Sequence, residues 1–192
     1  LLVTGNRSIR SLNSIPGFFS RGLTPRIGGN FYRPLQSVSY AIDYSIWGYN
    51  PAGYHLTSLL IHLANAVLLF LIIFTITGRP VLSFLTGLFF VVHPVQTEAV
   101  SYIAGRADIV SALFMLLSLL LFVRAGKKQT FGFPRGLLIG ALCFFILALL
   151  SKESAVILPL LALLCGRYLP DGSGPRKRGA FLKRPPAYLF LS

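Results

Sequence analysis

The densest run of reactive side chains in this 192-residue sequence is His93-Pro94-Val95-Gln96-Thr97-Glu98, followed shortly by Gly105-Arg106-Ala107-Asp108. An imidazole, two carboxylates and a guanidinium in one stretch are the groups that move protons and hold anions. Two smaller clusters accompany them, Tyr32-Arg33-Pro34 and Ser151-Lys152-Glu153. Arg33 offers a guanidinium that can grip a phosphate by paired hydrogen bonds. Only five acidic residues stand against 18 Lys and Arg, so each carboxylate is worth tracing. The plainer readings are as definite. Asp108 can be a helix N-cap, Arg106 a snorkelling side chain, His93 a helix terminator before proline, and Lys152-Glu153 a self-neutralising pair at a tight turn.

The elements that position these groups follow from composition. Hydrophobic residues make up 54% of the chain, and charged residues 12%, about half the share of an ordinary soluble domain. Mean hydropathy is +0.71. The apolar residues come in runs too long and too uncharged for a water-soluble core, so the fold expected is all-α, a polytopic transmembrane helix bundle. The net charge of +13 lies between those runs, where membrane topology puts it, and does not point to nucleic acid. Cys143 and Cys165 sit inside apolar runs and imply no disulfide framework.

Residues 1–50 read as an external loop, with an amphipathic interfacial helix at 34–48 whose Leu35, Val38, Ile42 and Ile46 recur at helical spacing beside Tyr40, Tyr44 and Trp47. The membrane domain is expected over 51–169, with about five spans at 56–77, 81–92, 109–123, 136–150 and 154–169. A basic cytoplasmic loop, 170–186, and the start of a further span, 187–192, complete the chain. Basic residues at Arg79, 124–135 and 167–184 set one side as cytoplasmic. Glu98, Asp108 and Glu153 then gather on the opposite face, at the mouths of spans. Ionisable groups there are functional candidates by default. Gly105 is expected to break the helix between Glu98 and Asp108, because two residues on one helix turn about 200° and would set Arg106 and Asp108 on opposite sides. His62 and Asn65, inside the first span, are expected to bond a neighbouring helix.

In order, Tyr32-Arg33-Pro34-Leu35, Gly53-Tyr54-His55-Leu56, His62-Leu63-Ala64-Asn65, His93-Pro94 through Glu98-Ala99-Val100, Gly105-Arg106-Ala107-Asp108 and Ser151-Lys152-Glu153 resemble the membrane domain of the tetratricopeptide-repeat transmembrane O-mannosyltransferases and their bacterial relatives. The resemblance covers about residues 30–160. It implies a GT-C fold that takes a sugar from a polyprenyl-phosphate donor and places it on an external acceptor, a Ser or Thr hydroxyl in eukaryotic members. It also implies an acidic catalytic residue early in the first external loop. Residues 1–42 contain no Asp or Glu, so that base is expected upstream of Leu1, and the fragment is expected to be inactive.

Inverting transfer needs a carboxylate to draw the acceptor's proton and cations to bind the departing lipid phosphate. On this reading Arg33, Arg106 and Lys152 bind the donor phosphate, Glu98 and Asp108 serve the acceptor, the sugar or a metal, and His93, Tyr32 and Glu153 support them. A divalent metal is left open, since His93, Glu98 and Asp108 lack a diagnostic ligand spacing. The partners implied are the lipid bilayer, the lipid-linked donor and a protein acceptor. The compartment expected is a bacterial cytoplasmic membrane, or the endoplasmic reticulum membrane in a eukaryote. Two rivals stand beside this reading. A non-catalytic anchor for a repeat domain needs only the spans, and a transporter fragment would place its charges near mid-membrane in broken helices. The topology makes a direct prediction. A cysteine placed at Gln96 should react with an impermeant thiol reagent from the non-cytoplasmic side, and labelling from the cytoplasmic side would refute the assignment.

Overall fold

The computed structural model describes residues 7–20, 32–102, 105–127 and 134–168. The basic loop expected at 170–186, the apolar start at 187–192 and Asp171 lie outside them. Among the described residues the regular structure is helical: α1 (Ile15–Phe18), α2 (Pro34–Trp47), α3 (Pro51–Thr77), α4 (Pro80–Val92), α5 (Gln96–Ser101), α6 (Arg106–Lys127), α7 (Arg135–Ser151) and α8 (Leu158–Tyr168). Short 3₁₀ turns occupy Arg7–Arg10, Leu12–Ser14 and Glu153–Ile157.

Local sequence sets the boundaries. Asn50 caps α3 by accepting a hydrogen bond from the Ala52 amide at 3.1 Å, and Pro51 occupies the first turn, where its missing N–H costs nothing. This start lies five residues ahead of the expected span, so Gly53-Tyr54-His55 belongs to the helix. Gly53 is there for space: a Cβ would fall 2.2 Å from Cγ of Trp47, whose ring lies against the start of α3. Gly78 ends α3 at φ 67°, a left-handed conformation that glycine adopts without steric cost. Pro94 forces His93 out of helical geometry and so closes α4. The short spans expected from sequence lengthen into the flanking motifs, most plainly in α6, which begins at Arg106 rather than at Ile109.

Packing follows membrane rules. Helices α3 and α6 are long and apolar enough to cross a bilayer, and α4, α7 and the segment Glu153–Gly166 are shorter apolar helices. Serine, histidine, asparagine and arginine side chains are buried between the helices, while Val81, Phe84, Leu85 and Phe89 of α4 face outward. Polar groups inside and large apolar groups outside are what lipid as solvent selects.

Small residues let the backbones approach. Ser111 and Ser118 stand two turns apart on α6, as Ala141 and Ala148 do on α7. In antiparallel register Ser111 donates to the Ala148 carbonyl at 3.3 Å and Ser118 to the Ala141 carbonyl at 2.7 Å. Between these two contacts the rings of Phe114 and Phe144 stack at 6.2 Å. On the other flank Ser83 and Gly87 of α4 set a small-residue face on α3, with Gly87 close to the Ala66 carbonyl. Ile72, Leu119, Leu120, Val123 and Leu158 join α3, α6 and α8.

The close α6–α7 seam generates a prediction. Ala148 is fully buried, so Ala148→Leu should destabilise the folded protein by about 1–3 kcal/mol through overpacking. Unfolding in detergent micelles is the measurement, and an unchanged midpoint would refute the packing described.

Candidate functional site

Among the described residues three ion pairs form, and they lie at the end of the bundle where α2, the start of α6 and the Lys152-Glu153 turn meet. The first is interior. Arg106, the first residue of α6, is 0% exposed, and its Nη1 donates to Asp43 of α2. Its Nη2 donates to the Tyr54 carbonyl at 2.6 Å and to Ser58 Oγ at 3.1 Å, both on α3. The rings of Tyr40 and Tyr54 lie 5.4 Å and 5.9 Å from the guanidinium carbon. Gln36 donates to the Tyr40 hydroxyl at 3.1 Å, and burial pushes the Tyr40 phenol above its usual pKa, so it stays protonated. Ile9 and Phe18 from the first turns of the chain close this cluster over Tyr40, Ala41 and Tyr54.

The other two pairs lie on the rim. Arg33, which precedes Pro34 at the start of α2, grips Glu153 side-on, with Nη2 to Oε1 at 2.6 Å and Nε to Oε2 at 3.4 Å. That guanidinium holds the Glu153 carboxyl below the usual carboxylate range. Lys152 pairs with Asp108 in the first turn of α6. The backbone at Lys152 is extended, at φ −157° and ψ 139°, so it and Glu153 reach in different directions. Lys152 and Glu153 therefore do not neutralise each other, contrary to the plainer sequence reading. Each compensates a charge on another element.

The remaining candidates sit apart. Glu98 is exposed on the first turn of α5 and carries no ion pair among the described residues. Beside α5 an open recess of about 400 Å³ is lined by His55, Leu56, Leu59, Val100 and Ser101. His93 Nδ1 accepts a hydrogen bond from the Val95 amide at 3.2 Å, and its ring packs edge-on against Phe89 at 4.9 Å. That is a local turn role. Tyr32 donates to the Phe19 carbonyl at 2.8 Å and ties the chain preceding α2 to α1. Within the spans Asn65 donates to the Ile109 carbonyl at 3.0 Å, and His62 stacks on Phe90 at 5.0 Å, joining α3 to α6 and α4. Among the described residues no three His, Cys, Asp or Glu side chains converge as metal ligands.

Two sequence expectations change here. Arg106, expected to bind the donor phosphate with Arg33 and Lys152, does not join them on the rim. Arg106 turns inward and Asp108 turns to the rim, because two residues along a helix point nearly opposite ways. Asp108 is a first-turn residue of α6 rather than its N-cap. Asp43 and Ser58 were not singled out from sequence, although with Tyr54 they enclose the buried guanidinium. The signal for Asp43 was a buried helical stripe of Gln36, Tyr40 and Asp43 on α2, on a different face from the exposed Ile42 and Ile46.

A helical membrane bundle, with the amphipathic α2 pinned to it by ion pairs, is the class of protein these features define. A family model described as dolichyl-phosphate-mannose-protein mannosyltransferase matches residues 34–189, and the chain belongs to that family. It is 38% identical over 130 residues to human protein O-mannosyl-transferase TMTC2, an alignment covering 65% of this chain and 15% of the relative. Drosophila melanogaster protein O-mannosyl-transferase Tmtc1 is 33% identical over 170 residues, covering 88% of this chain and 19% of the relative. Human protein O-mannosyl-transferase TMTC4 is 33% identical over 161 residues, covering 72% and 21%. The chain thus spans about a fifth or less of the length of these relatives, all three of which are animal proteins. No solved structure matches the chain.

The buried pair carries its own prediction. Asp43→Ala or Arg106→Ala alone should destabilise the protein by about 3–5 kcal/mol, because each leaves an uncompensated charge in a closed site. Asp43→Leu combined with Arg106→Met should recover part of that loss. Unfolding curves of the three variants in detergent test this, and near-parental stability of either single variant would refute it.

Proposed function

We propose that this chain is part of the membrane domain of a protein O-mannosyltransferase that draws mannose from a polyprenyl-phosphate donor and transfers it to a Ser or Thr hydroxyl on the non-cytoplasmic side. The observation that carries the reading is the family match across residues 34–189. The named relatives are animal proteins, which favours the endoplasmic reticulum over a bacterial membrane as the compartment.

Within this reading the geometry supports a division of parts. Arg33 and Lys152 are the two rim cations fit to bind the donor phosphate, since both reach the surface and both already hold carboxylates. Arg106 is withdrawn from that role. Its guanidinium is closed off and already bonded to Asp43, Tyr54 and Ser58, so it positions α2 against α3 and α6. Glu98, exposed on α5 and without an ion pair among the described residues, is suited to accept the proton of the acceptor hydroxyl or to orient it. Asp108 holds Lys152, with Glu153 on Arg33. His93 and Tyr32 shape the turns on either side.

In membranes carrying the full-length protein of which this chain is a part, Arg33→Gln and Glu98→Gln should each lower mannosyl transfer from radiolabelled polyprenyl-phosphate mannose by roughly a hundredfold, or about 3 kcal/mol. Transfer is to be normalised to folded protein. Parental turnover in both variants would remove Arg33 and Glu98 from the site, and no transfer by the parent would favour a non-catalytic membrane anchor.

A further inference from the structure

We infer that Glu153 is a built-in competitor for the phosphate site, a carboxylate lid that occupies Arg33 until a phosphate group displaces it. The inference rests on the reading of Arg33 as a donor-phosphate contact and adds to it how that site stands before the donor arrives.

Three observations carry it. The first is the form of the contact. Arg33 holds Glu153 through Nε and Nη2, one to each carboxylate oxygen, at 3.4 Å and 2.6 Å. A guanidinium presents the same fork to two oxygens of a phosphate, so carboxylate and phosphate compete for one set of donors. The second is the difference in exposure across the pair. The Arg33 side chain is 17% exposed and that of Glu153 is 66% exposed, so the cation lies beneath and the anion lies over it. An incoming anion reaches the guanidinium by pushing Glu153 into water, where the carboxylate is well solvated.

The third is that the parts that must stay fixed are fixed. Arg33 is held by the buried Pro34 that follows it. On the other side Ser151 and Ala155 are both fully buried, and Lys152 between them is tied to Asp108 on α6. Glu153 can therefore leave Arg33 by side-chain rotation alone. The turn that carries it remains in place, with Lys152 still on the rim. The lowered pKa of Glu153 keeps it ionised, and hence competing, at neutral pH.

The ligand chemistry is a phosphate ester or free phosphate, and the experiment separates the two. The protein in detergent micelles is titrated with a polyprenyl phosphate and, separately, with inorganic phosphate, following ³¹P line broadening per folded protein. Glu153→Gln should bind about two- to fivefold more tightly than the parent, the factor by which an exposed ion pair holds its partners together. Arg33→Gln should bind much more weakly. A gain for both probes supports the lid with the phosphate group itself as what is recognised. A gain confined to the polyprenyl phosphate supports the lid with a lipid headgroup as ligand. Equal or weaker binding by Glu153→Gln, with Arg33→Gln weakened, overturns the lid and leaves the donor site standing. Undiminished binding by Arg33→Gln removes the donor site at Arg33, and the lid with it.

Discussion

A guanidinium with no exposed surface must be compensated where it sits, and Arg106 is the point around which this bundle is arranged. Removing an arginine and a carboxylate from water costs several kcal/mol per ion, so the pair depends on further hydrogen bonds to the guanidinium. Asp43, the Tyr54 carbonyl and Ser58 take up Nη1 and Nη2 from two different helices, while Nε is left without a hydrogen-bond partner among the described residues. The three elements cannot shift relative to one another without breaking a charged hydrogen bond. That requirement draws an otherwise amphipathic surface helix, α2, onto the mouths of α3 and α6. Arg33, at the start of α2, is thereby brought within reach of Glu153, 120 positions away in the sequence.

Below the rim the constraint changes from charge to shape. Lipid tails are as apolar as leucine, so burying more leucine drives helices together only weakly, and close backbone approach must supply the cohesion. The serine and alanine positions of α6 and α7 meet this need with hydrogen bonds that stay within the protein. Asn65 ties α3 to α6 in the same way. Long α3 and α6 form the frame, while α4, α7 and α8 lean against it with their apolar faces outward.

The rim is a separate electrostatic system built on that frame. Its charges alternate from Arg33 to Glu153 to Lys152 to Asp108 and link α2, the turn after α7 and the start of α6. Because these pairs are partly exposed, solvent screens them and each contributes modestly to stability. Their weakness suits them to exchange partners, whereas the Arg106 pair is suited to hold. One chain thus uses two arginines in opposite ways, and burial makes the difference.

Much of the architecture was legible in the residues alone. Apolar runs, prolines at helix starts and glycines at helix ends are local signals for helices and their ends. The boundary errors had a local cause: α3 and α6 continue into polar motifs because a cap at Asn50 and a start at Arg106 extend them past the apolar run. The charged motifs were also recognisable as the place where chemistry could occur, since charge is costly near a bilayer wherever it falls. Which charge faces which partner was not legible. Arg106 and Arg33 look alike as residue types, and Asp43 lies in a helix whose apolar stripe drew attention to its other face. Partnership across 63 or 120 positions of chain depends on helix rotation and on which faces pack. Those are set by the small-residue seams and the buried polar bonds acting together. The sequence by itself determined a helical membrane bundle. Tertiary structure alone decided which cation is sealed inside and which pairs with a carboxylate at the rim, because desolvation is a property of the assembled surroundings and not of the residue.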